Sequence, residues 1–174
     1  MLKFLIGLLL GAALILLAEY LFVAEGGVAM STDTHALPME KVLVHAALSA
    51  SMGKAAKEES PVAADERNLL AGAHIFQERG CVGCHGRIGE PHSGIGERMY
   101  PEPPHLLPPS KGVTDNEPGE IHWIVKNGVR FSGMPSFDGK LSDTELWQVS
   151  LMLHNAKSLP ASMQEVLRQQ RQGR

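Results

Sequence analysis

The chain has 174 residues, the length of one domain with additional segments, and 44% of them are hydrophobic, which is enough for one core. Its 16 basic and 19 acidic residues give a net charge of −3, which excludes a nucleic-acid-binding protein that works through a basic face. The 2 cysteines cannot form a disulfide-rich scaffold. Only 5% of the residues are aromatic, so we expect something other than aromatic side chains to fill part of the interior.

An apolar segment occupies residues 4–24, and Glu19 is its only charged residue. A bilayer is spanned by about 20 apolar residues, so residues 1–30 are predicted to hold a single transmembrane anchor. Lys3 precedes the segment, and the positive-inside rule predicts that the rest of the chain faces the periplasm from a bacterial-type inner membrane. A cleaved signal peptide is the alternative, and it would export the same domain.

Residues 31–63 are predicted as a tether that contains an amphipathic helix. Pro38 is placed to start this helix, which extends to about Lys57 before Pro61 and its neighbours break the pattern. Its apolar face consists of Met39, Val42, Leu43, Ala46 and Ala50. In the simplest interpretation the helix packs on the domain or acts as a spacer. The alternatives are that it lies on the bilayer or meets a partner.

Two further helices are predicted on either side of a long irregular segment. The first covers residues 64–79, has apolar residues at i, i+4 and i+7, and ends at Gly80. The second covers residues 118–127 and is closed by Gly128. Between them, residues 86–115 show no periodicity, and a segment of that length usually wraps something or is functional.

A last predicted helix begins after Ser142, which forms a capping box with Glu145, and extends to about Asn155. Residues 157–174 are predicted as a polar, basic and solvated tail. No strand pattern is present anywhere, so the predicted fold class is all-α.

The chemistry is carried by Cys81-Val82-Gly83-Cys84-His85, which has the spacing of a c-type haem attachment site. Each thiol adds to one vinyl group of a porphyrin, and helical backbone between the cysteines sets both sulfurs against one face of the ring. The histidine is then held beside the iron, which an imidazole nitrogen ligates.

Two other interpretations of the cysteine pair are weaker. A thioredoxin-like dithiol needs a strand–helix–strand context, which the sequence lacks. A zinc site needs two ligands beyond Cys81 and Cys84, and His92 and His105 lie on a proline-rich segment without the usual spacing. Haem also accounts for the low aromatic content, because a porphyrin is itself a large apolar body, and for the irregular segment, which would surround it.

With these motifs, residues 64–156 resemble class I cytochrome c. Gly72 and Phe76 match the Gly-x-x-x-aromatic pattern of the family's N-terminal helix, and Trp147 matches the aromatic residue of the C-terminal helix that crosses it. The resemblance implies an all-helical electron carrier with one haem c, attached covalently through Cys81 and Cys84.

The resemblance also implies two positions around His85. Met134, in a Gly-Met-Pro sequence ahead of the last helix, matches the loop methionine that is the second axial ligand. Pro104 matches the residue whose carbonyl accepts the other N–H of the proximal histidine, although Pro103 remains possible. The alternative sixth ligands are Met99, His105 and His122.

Other residues near the motifs have open interpretations. Trp123 either packs on the haem edge, where it would bind the cofactor, or belongs to the core. The basic residues Arg87, Lys126, Arg130 and Lys140 either form a rim that steers an acidic partner or are ordinary solvated charges.

The function predicted from this pattern is single-electron transfer by a membrane-anchored mono-haem c-type cytochrome. With both axial positions filled by His85 and Met134, we expect an electron carrier and not an enzyme, with no small-molecule substrate and no nucleic acid. The expected partners are redox proteins of a respiratory or other chain, and membrane lipid. The alternatives are a fixed haem subunit of a larger membrane oxidoreductase and a catalytic or sensing haem with an open iron site.

Overall fold

The computed structural model describes residues 1–28, 30–32, 37–90 and 94–169. The α-helices are α1 Leu2–Ala24, α2 Glu40–Met52, α3 Glu66–Glu78, α4 Val82–His85, α5 Pro118–Asn127, α6 Asp143–His154 and α7 Ala161–Arg168. Short 3₁₀ turns cover Ala55–Lys57, Gly96–Arg98 and Ala156–Ser158. The described residues contain no strand, and the predicted all-α fold class is confirmed.

The chain divides into two units, of which the first covers residues 1–36 and contains α1. None of the residues of α1 is buried, and its mean hydropathy reaches 2.4. By length and composition α1 is able to cross a membrane, a property that it shares with signal sequences.

The second unit begins at Leu37 and is built around the crossing of α3 and α6. Asp65 caps the start of α3 by accepting a hydrogen bond from the backbone N–H of Asn68 at 2.8 Å. At the crossing, a Cβ atom added to Gly72 would overlap the backbone carbonyl of Gln148 and lie 2.8 Å from Cβ of Met152. Only glycine therefore permits the close approach of the two helices.

The predicted start of α6 is confirmed. The Ser142 hydroxyl accepts a hydrogen bond from the backbone N–H of Glu145, and the Glu145 carboxylate accepts one from the N–H of Ser142. On either side of this capping box, Leu141 and Leu146 are buried at the staple positions. A cap of this kind stabilises a helix by about 1 kcal/mol.

The segment before α3 belongs to the second unit as well. The 3₁₀ turn Ala55–Lys57 packs against the start of α5 at Gly119. A Cβ added to that glycine would lie 2.7 Å from the Ala55 carbonyl oxygen and 2.8 Å from that of Glu58. The compact unit therefore extends in the N-terminal direction beyond residue 64.

The prediction of a solvated tail is wrong for α7. Met163 and Leu167 are completely buried, and the Gln77 side chain on α3 donates a hydrogen bond to the Val166 carbonyl at 2.9 Å. Two apolar residues four apart put one face of α7 on α3, and the polar residues around them hide this face in the sequence. Arg171 and Arg174 lie outside the described residues.

The helix predicted over residues 38–57 ends earlier, at Met52, which is its one buried residue. The expected packing of its apolar face on the domain is not present: Val42 and Leu43 are 62% and 61% exposed.

Candidate haem site

The attachment motif lies on α4, the single helical turn that follows Gly80. Gly80 has φ +82°, a left-handed conformation that ends α3 and redirects the chain. The backbone N–H groups of Cys84 and His85 both donate to the carbonyl of Cys81, at 3.2 and 2.9 Å. One tight turn thus holds the two cysteines and the histidine together, and the thiols form no disulfide.

A cavity that opens to solvent lies beside this turn and measures about 340 Å³ with its opening included. Three of its lining residues are predicted to bind the haem: Cys81, His85 and Met134. The other lining residues have hydrocarbon side chains: Ile75, Phe76, Leu106, Val125, Phe137, Leu141, Val149 and Leu153. This wall is built by helices α3, α5 and α6, by the irregular segment 86–115 and by the residues between α5 and α6. The cavity therefore forms only when the whole domain is folded.

The imidazole of His85 is oriented by the irregular segment that follows α4. Its Nδ1 lies 2.8 Å from the carbonyl oxygen of Pro104, an oxygen that can only accept. Nδ1 therefore carries the proton, and the lone pair of the neutral ring lies on Nε2. The carbonyl of His85 accepts a hydrogen bond from the N–H of Leu106 at 3.3 Å, so the segment contacts this residue on both its side chain and its backbone.

Met134 lies in a tight turn between α5 and α6. Its N–H donates to the Ser132 hydroxyl at 3.1 Å, and its carbonyl accepts from the N–H of Val129 at 3.2 Å. Gly128 has φ +69°, and a Cβ there would lie 2.8 Å from the Met134 carbonyl oxygen. The backbone of the turn is thus fixed, and the Met134 side chain lines the same cavity as His85.

The alternative ligands do not line this cavity. Met99 contacts Gly133 through its terminal methyl group. His105 lies with Nε2 2.7 Å from the carbonyl oxygen of Glu90.

His122 is buried and stacks on Trp147, with ring centroids 4.0 Å apart and an interplanar angle of 9°. Its Nε2 lies 3.2 Å from the Asp143 carboxylate. Burial lowers the pKa of His122, and the attraction of Asp143 opposes this shift without reversing it.

Trp123 is half-buried on α5 and is absent from the residues that line the cavity. Two of the four basic residues near the motifs have acidic neighbours. Lys126 lies 3.6 Å from Asp143, and Arg87 lies 3.6 Å from Glu90. Arg130 and Lys140 are exposed.

The cavity and its surroundings fit a porphyrin. Its wall is apolar, as the face of the ring requires, while the carboxylates on the ring edge require cationic donors. The Nε of Arg87, two residues after His85, is buried and has no hydrogen-bond partner among the described residues. A buried guanidinium donor without an acceptor is costly unless an anion satisfies it.

The cysteines do not have the surroundings of a metal or dithiol site. Burial raises the pKa of Cys81 to about 11, so its thiol stays protonated in the haem-free chain. Among the described residues, no group of three or more His, Cys, Asp and Glu side chains is placed to hold a metal ion. His92, a ligand in the zinc alternative, lies outside those residues.

An all-helical domain with a Cys-x-x-Cys-His turn beside an apolar cavity defines a c-type cytochrome. Residues 67–151 match the family described as cytochrome c oxidase, cbb3-type, subunit III. The match extends from α3 into α6 and includes the attachment motif and Met134. Residues 67–151 therefore form a c-type cytochrome domain, and a domain of this kind implies haem c and electron transfer.

One similar solved structure is a chain of a reducing HAO-like protein complex from Kuenenia stuttgartiensis. The two sequences are 24% identical, the alignment covers 62% of this chain and 56% of that one, and the TM-score is 0.42. This chain thus spans little more than half the length of that relative. No curated protein sequence matches this chain.

Several residues of the cavity wall were not predicted from the sequence. Phe137 and Leu106 lie on irregular segments, where no periodicity marks the inner side. On α6, Leu153 was expected on the inner side, and Val149 lies four residues before it on the same face, so helical periodicity was a usable signal for Val149 as well.

Proposed function

We propose that this chain is a membrane-anchored electron carrier with one haem c, held between His85 and Met134. The observation that carries the proposal is that these two side chains line one apolar cavity directly beside Cys81. When bound, the haem supplies one-electron oxidation and reduction at its iron.

Cys81 and Cys84 are the attachment residues in this proposal, each through a thioether. The proposal of one haem is supported by the 2 cysteines of the sequence, which form one attachment motif. The fixed turn of α4 keeps the two sulfurs in register with the imidazole that follows them.

His85 and Met134 are the proposed axial ligands, through Nε2 and the thioether sulfur. Pro104 keeps the proton on Nδ1 of His85, which directs the lone pair of Nε2 toward the metal. Met134 is a soft, neutral ligand that favours the reduced state and raises the potential. With two protein ligands in place, no substrate reaches the metal, so the domain exchanges electrons and makes no bonds.

Arg87 is proposed to hold a carboxylate of the porphyrin edge. Its buried Nε–H then gains the acceptor that the described residues do not provide. The apolar wall excludes water from the ring and so disfavours the extra charge of the oxidised state, which also raises the potential.

The accessible edge of the site is proposed to contact the redox partner near Phe131. This side chain is 92% exposed and has φ +60°, in the turn that also holds Met134. A left-handed conformation is unfavourable for a bulky aromatic residue, and full exposure gives it no compensating contact within the chain. Contact with a partner protein would supply one.

We further propose that α1 anchors the chain with the haem domain on the periplasmic side. The support is the length and apolar character of α1, together with Lys3 ahead of it. A tether of this kind confines the search for a redox partner to the membrane plane and raises the effective concentration of both proteins.

A second candidate is a fixed haem subunit in a larger membrane oxidoreductase. The description of the matching family as an oxidase subunit favours it. Solubilisation in mild detergent followed by size-exclusion chromatography at the haem absorbance separates the two. A free carrier elutes at the size of one chain in a micelle, whereas a subunit elutes with a stable set of other proteins.

The haem proposal itself is tested by expressing the chain with a c-type maturation system and recording absorption spectra. We expect the narrow absorption bands of a six-coordinate, low-spin haem. In the oxidised protein we also expect the weak long-wavelength band of methionine–iron ligation. Rapid binding of carbon monoxide to the reduced protein would contradict Met134 as a ligand.

A further inference from the structure

Part of the apolar surface of α2 faces away from the domain to which the helix is attached. Successive residues of an α-helix are about 100° apart. Met52, which is buried, and Leu48, which is half-buried, share the side that contacts the domain. Opposite them lies Leu43, at 61% exposure, and Met39, just before the helix, is 66% exposed.

This outward side, which we call the outer face of α2, carries no charged residue. It consists of Val42, Leu43, Ala46, Ala47 and Ala50, with Met39 just before the helix. Lys41 and His45 lie on the other side of the helix, while Ser49 and Glu40 border the outer face. A helix that turns its apolar side outward, away from its own domain, needs an apolar partner.

We infer that the outer face of α2 lies on the lipid bilayer, and this inference rests on the proposed membrane anchor. The linker between Ala24 and Glu40 has about 15 residues, and at about 3.4 Å per residue it reaches at most about 50 Å. An anchored α1 therefore keeps α2 within about 50 Å of the membrane surface, a distance from which the helix is able to meet the bilayer.

The charges of α2 are few and balanced. The helix contains one lysine, Lys41, which is exposed, and one acid, Glu40. The carboxylate of Glu40 is engaged by the Tyr100 hydroxyl at 2.7 Å and by the backbone N–H of Leu37 at 2.8 Å. The charges of the helix therefore do not oppose contact with anionic headgroups.

Bilayer contact through α2 also orients the cytochrome domain. The start of α2 is bonded through Glu40 to Tyr100, and the neighbouring Met99 contacts Gly133, next to Met134. Lipid that holds α2 therefore restricts rotation of the domain about its tether, and the accessible edge of the site is presented to partners in a constant orientation.

The test uses the full, haem-loaded chain in vesicles of phosphatidylethanolamine and phosphatidylglycerol. Single Leu43→Cys and His45→Cys variants are spin-labelled. Only the introduced cysteine reacts with the label, because the two native cysteines are attached to the haem. Both positions are exposed, so both variants fold, and His45 is the matched control on the other side of the helix. Collisions with oxygen report lipid, and collisions with a water-soluble nickel chelate report water.

The inference expects the label at position 43 to lie roughly 5–10 Å below the headgroups, with loss of nickel collisions, while the label at 45 stays in water. Equal nickel access at both positions overturns it. Protection of position 43 from both reagents also overturns it, because the face is then covered by a second copy of the chain.

Failure of the anchor is recognised separately by flotation of the vesicles in a density gradient. If the chain does not float with the vesicles, the proposed anchor is wrong and the inference about α2 falls with it. If the chain floats but position 43 is open to water, the anchor stands and only the contact through α2 is wrong.

Discussion

Replacing Leu167 by alanine tests whether α7 is part of the cytochrome domain. The Leu167 side chain is completely buried against α3, next to the equally buried Met163. Moving such a side chain into water accounts for about 2 kcal/mol, and the cavity that remains adds to this. We therefore expect the free energy of unfolding to fall by about 2–5 kcal/mol.

In a domain of this size, 1 kcal/mol corresponds to roughly 4 °C in Tm, so the expected fall is about 8–20 °C. The assay is thermal unfolding of the haem-loaded chain in mild detergent, followed by circular dichroism. Arg168→Ala is the matched control, because Arg168 is the next residue of α7 and is exposed. Equal Tm values for the two variants would refute the burial of α7 and restore the solvated tail predicted from the sequence.

Four further predictions concern the site and its surroundings. Replacing both Cys81 and Cys84 by alanine removes both thioethers, so no haem stays bound on denaturing gels, whereas Cys84→Ala alone leaves at most the thioether through Cys81. Met134→His lowers the midpoint potential, because imidazole donates more strongly than a thioether, whereas Met99→Leu leaves it unchanged in the same redox titration. Arg87→Gln also lowers the midpoint potential, because it removes a positive charge that disfavours the oxidised state. Burial lowers the pKa of His122 in the folded chain, so as the pH falls this histidine is protonated in the unfolded chain before it is protonated in the folded chain. Stability in thermal melts is therefore lost as the pH falls through the ordinary histidine range near 6.5.

Each of these predictions has a result that would contradict it. Covalent haem in the variant that lacks both cysteines would contradict attachment at this motif, and an unchanged midpoint in Met134→His would require another sixth ligand. An unchanged midpoint potential in Arg87→Gln would show that this guanidinium does not interact with the haem. If a His122→Phe variant loses as much stability at low pH as the wild-type chain, the loss is caused by other groups.

The parts of the fold that were predicted from the sequence depend on local chemistry. The capping box of Ser142 and Glu145 is complete within four residues, and the attachment motif is complete within five. Gly80 and Gly128, which end α3 and α5, act through their own backbone conformations. Signals of this kind can be recognised from a few neighbouring residues, without knowledge of the rest of the fold.

The parts that were missed depend on contacts between distant residues. Burial of Met163 and Leu167 requires α3 to lie beside α7, which nothing within the tail specifies. The exposure of Leu43 on α2 is the reverse case, because an apolar helical pattern predicts burial but does not name what covers it. In the irregular segment after the motif, the family resemblance favoured Pro104 and left Pro103 possible, and the carbonyl of Pro104 lies at hydrogen-bond distance from His85.

The most direct test of the central claim is the intact mass of the matured chain under denaturing conditions. The account predicts the polypeptide mass plus that of one haem, with the haem still attached after unfolding. A colourless chain at the bare polypeptide mass, obtained after export through a working c-type maturation system, would contradict it.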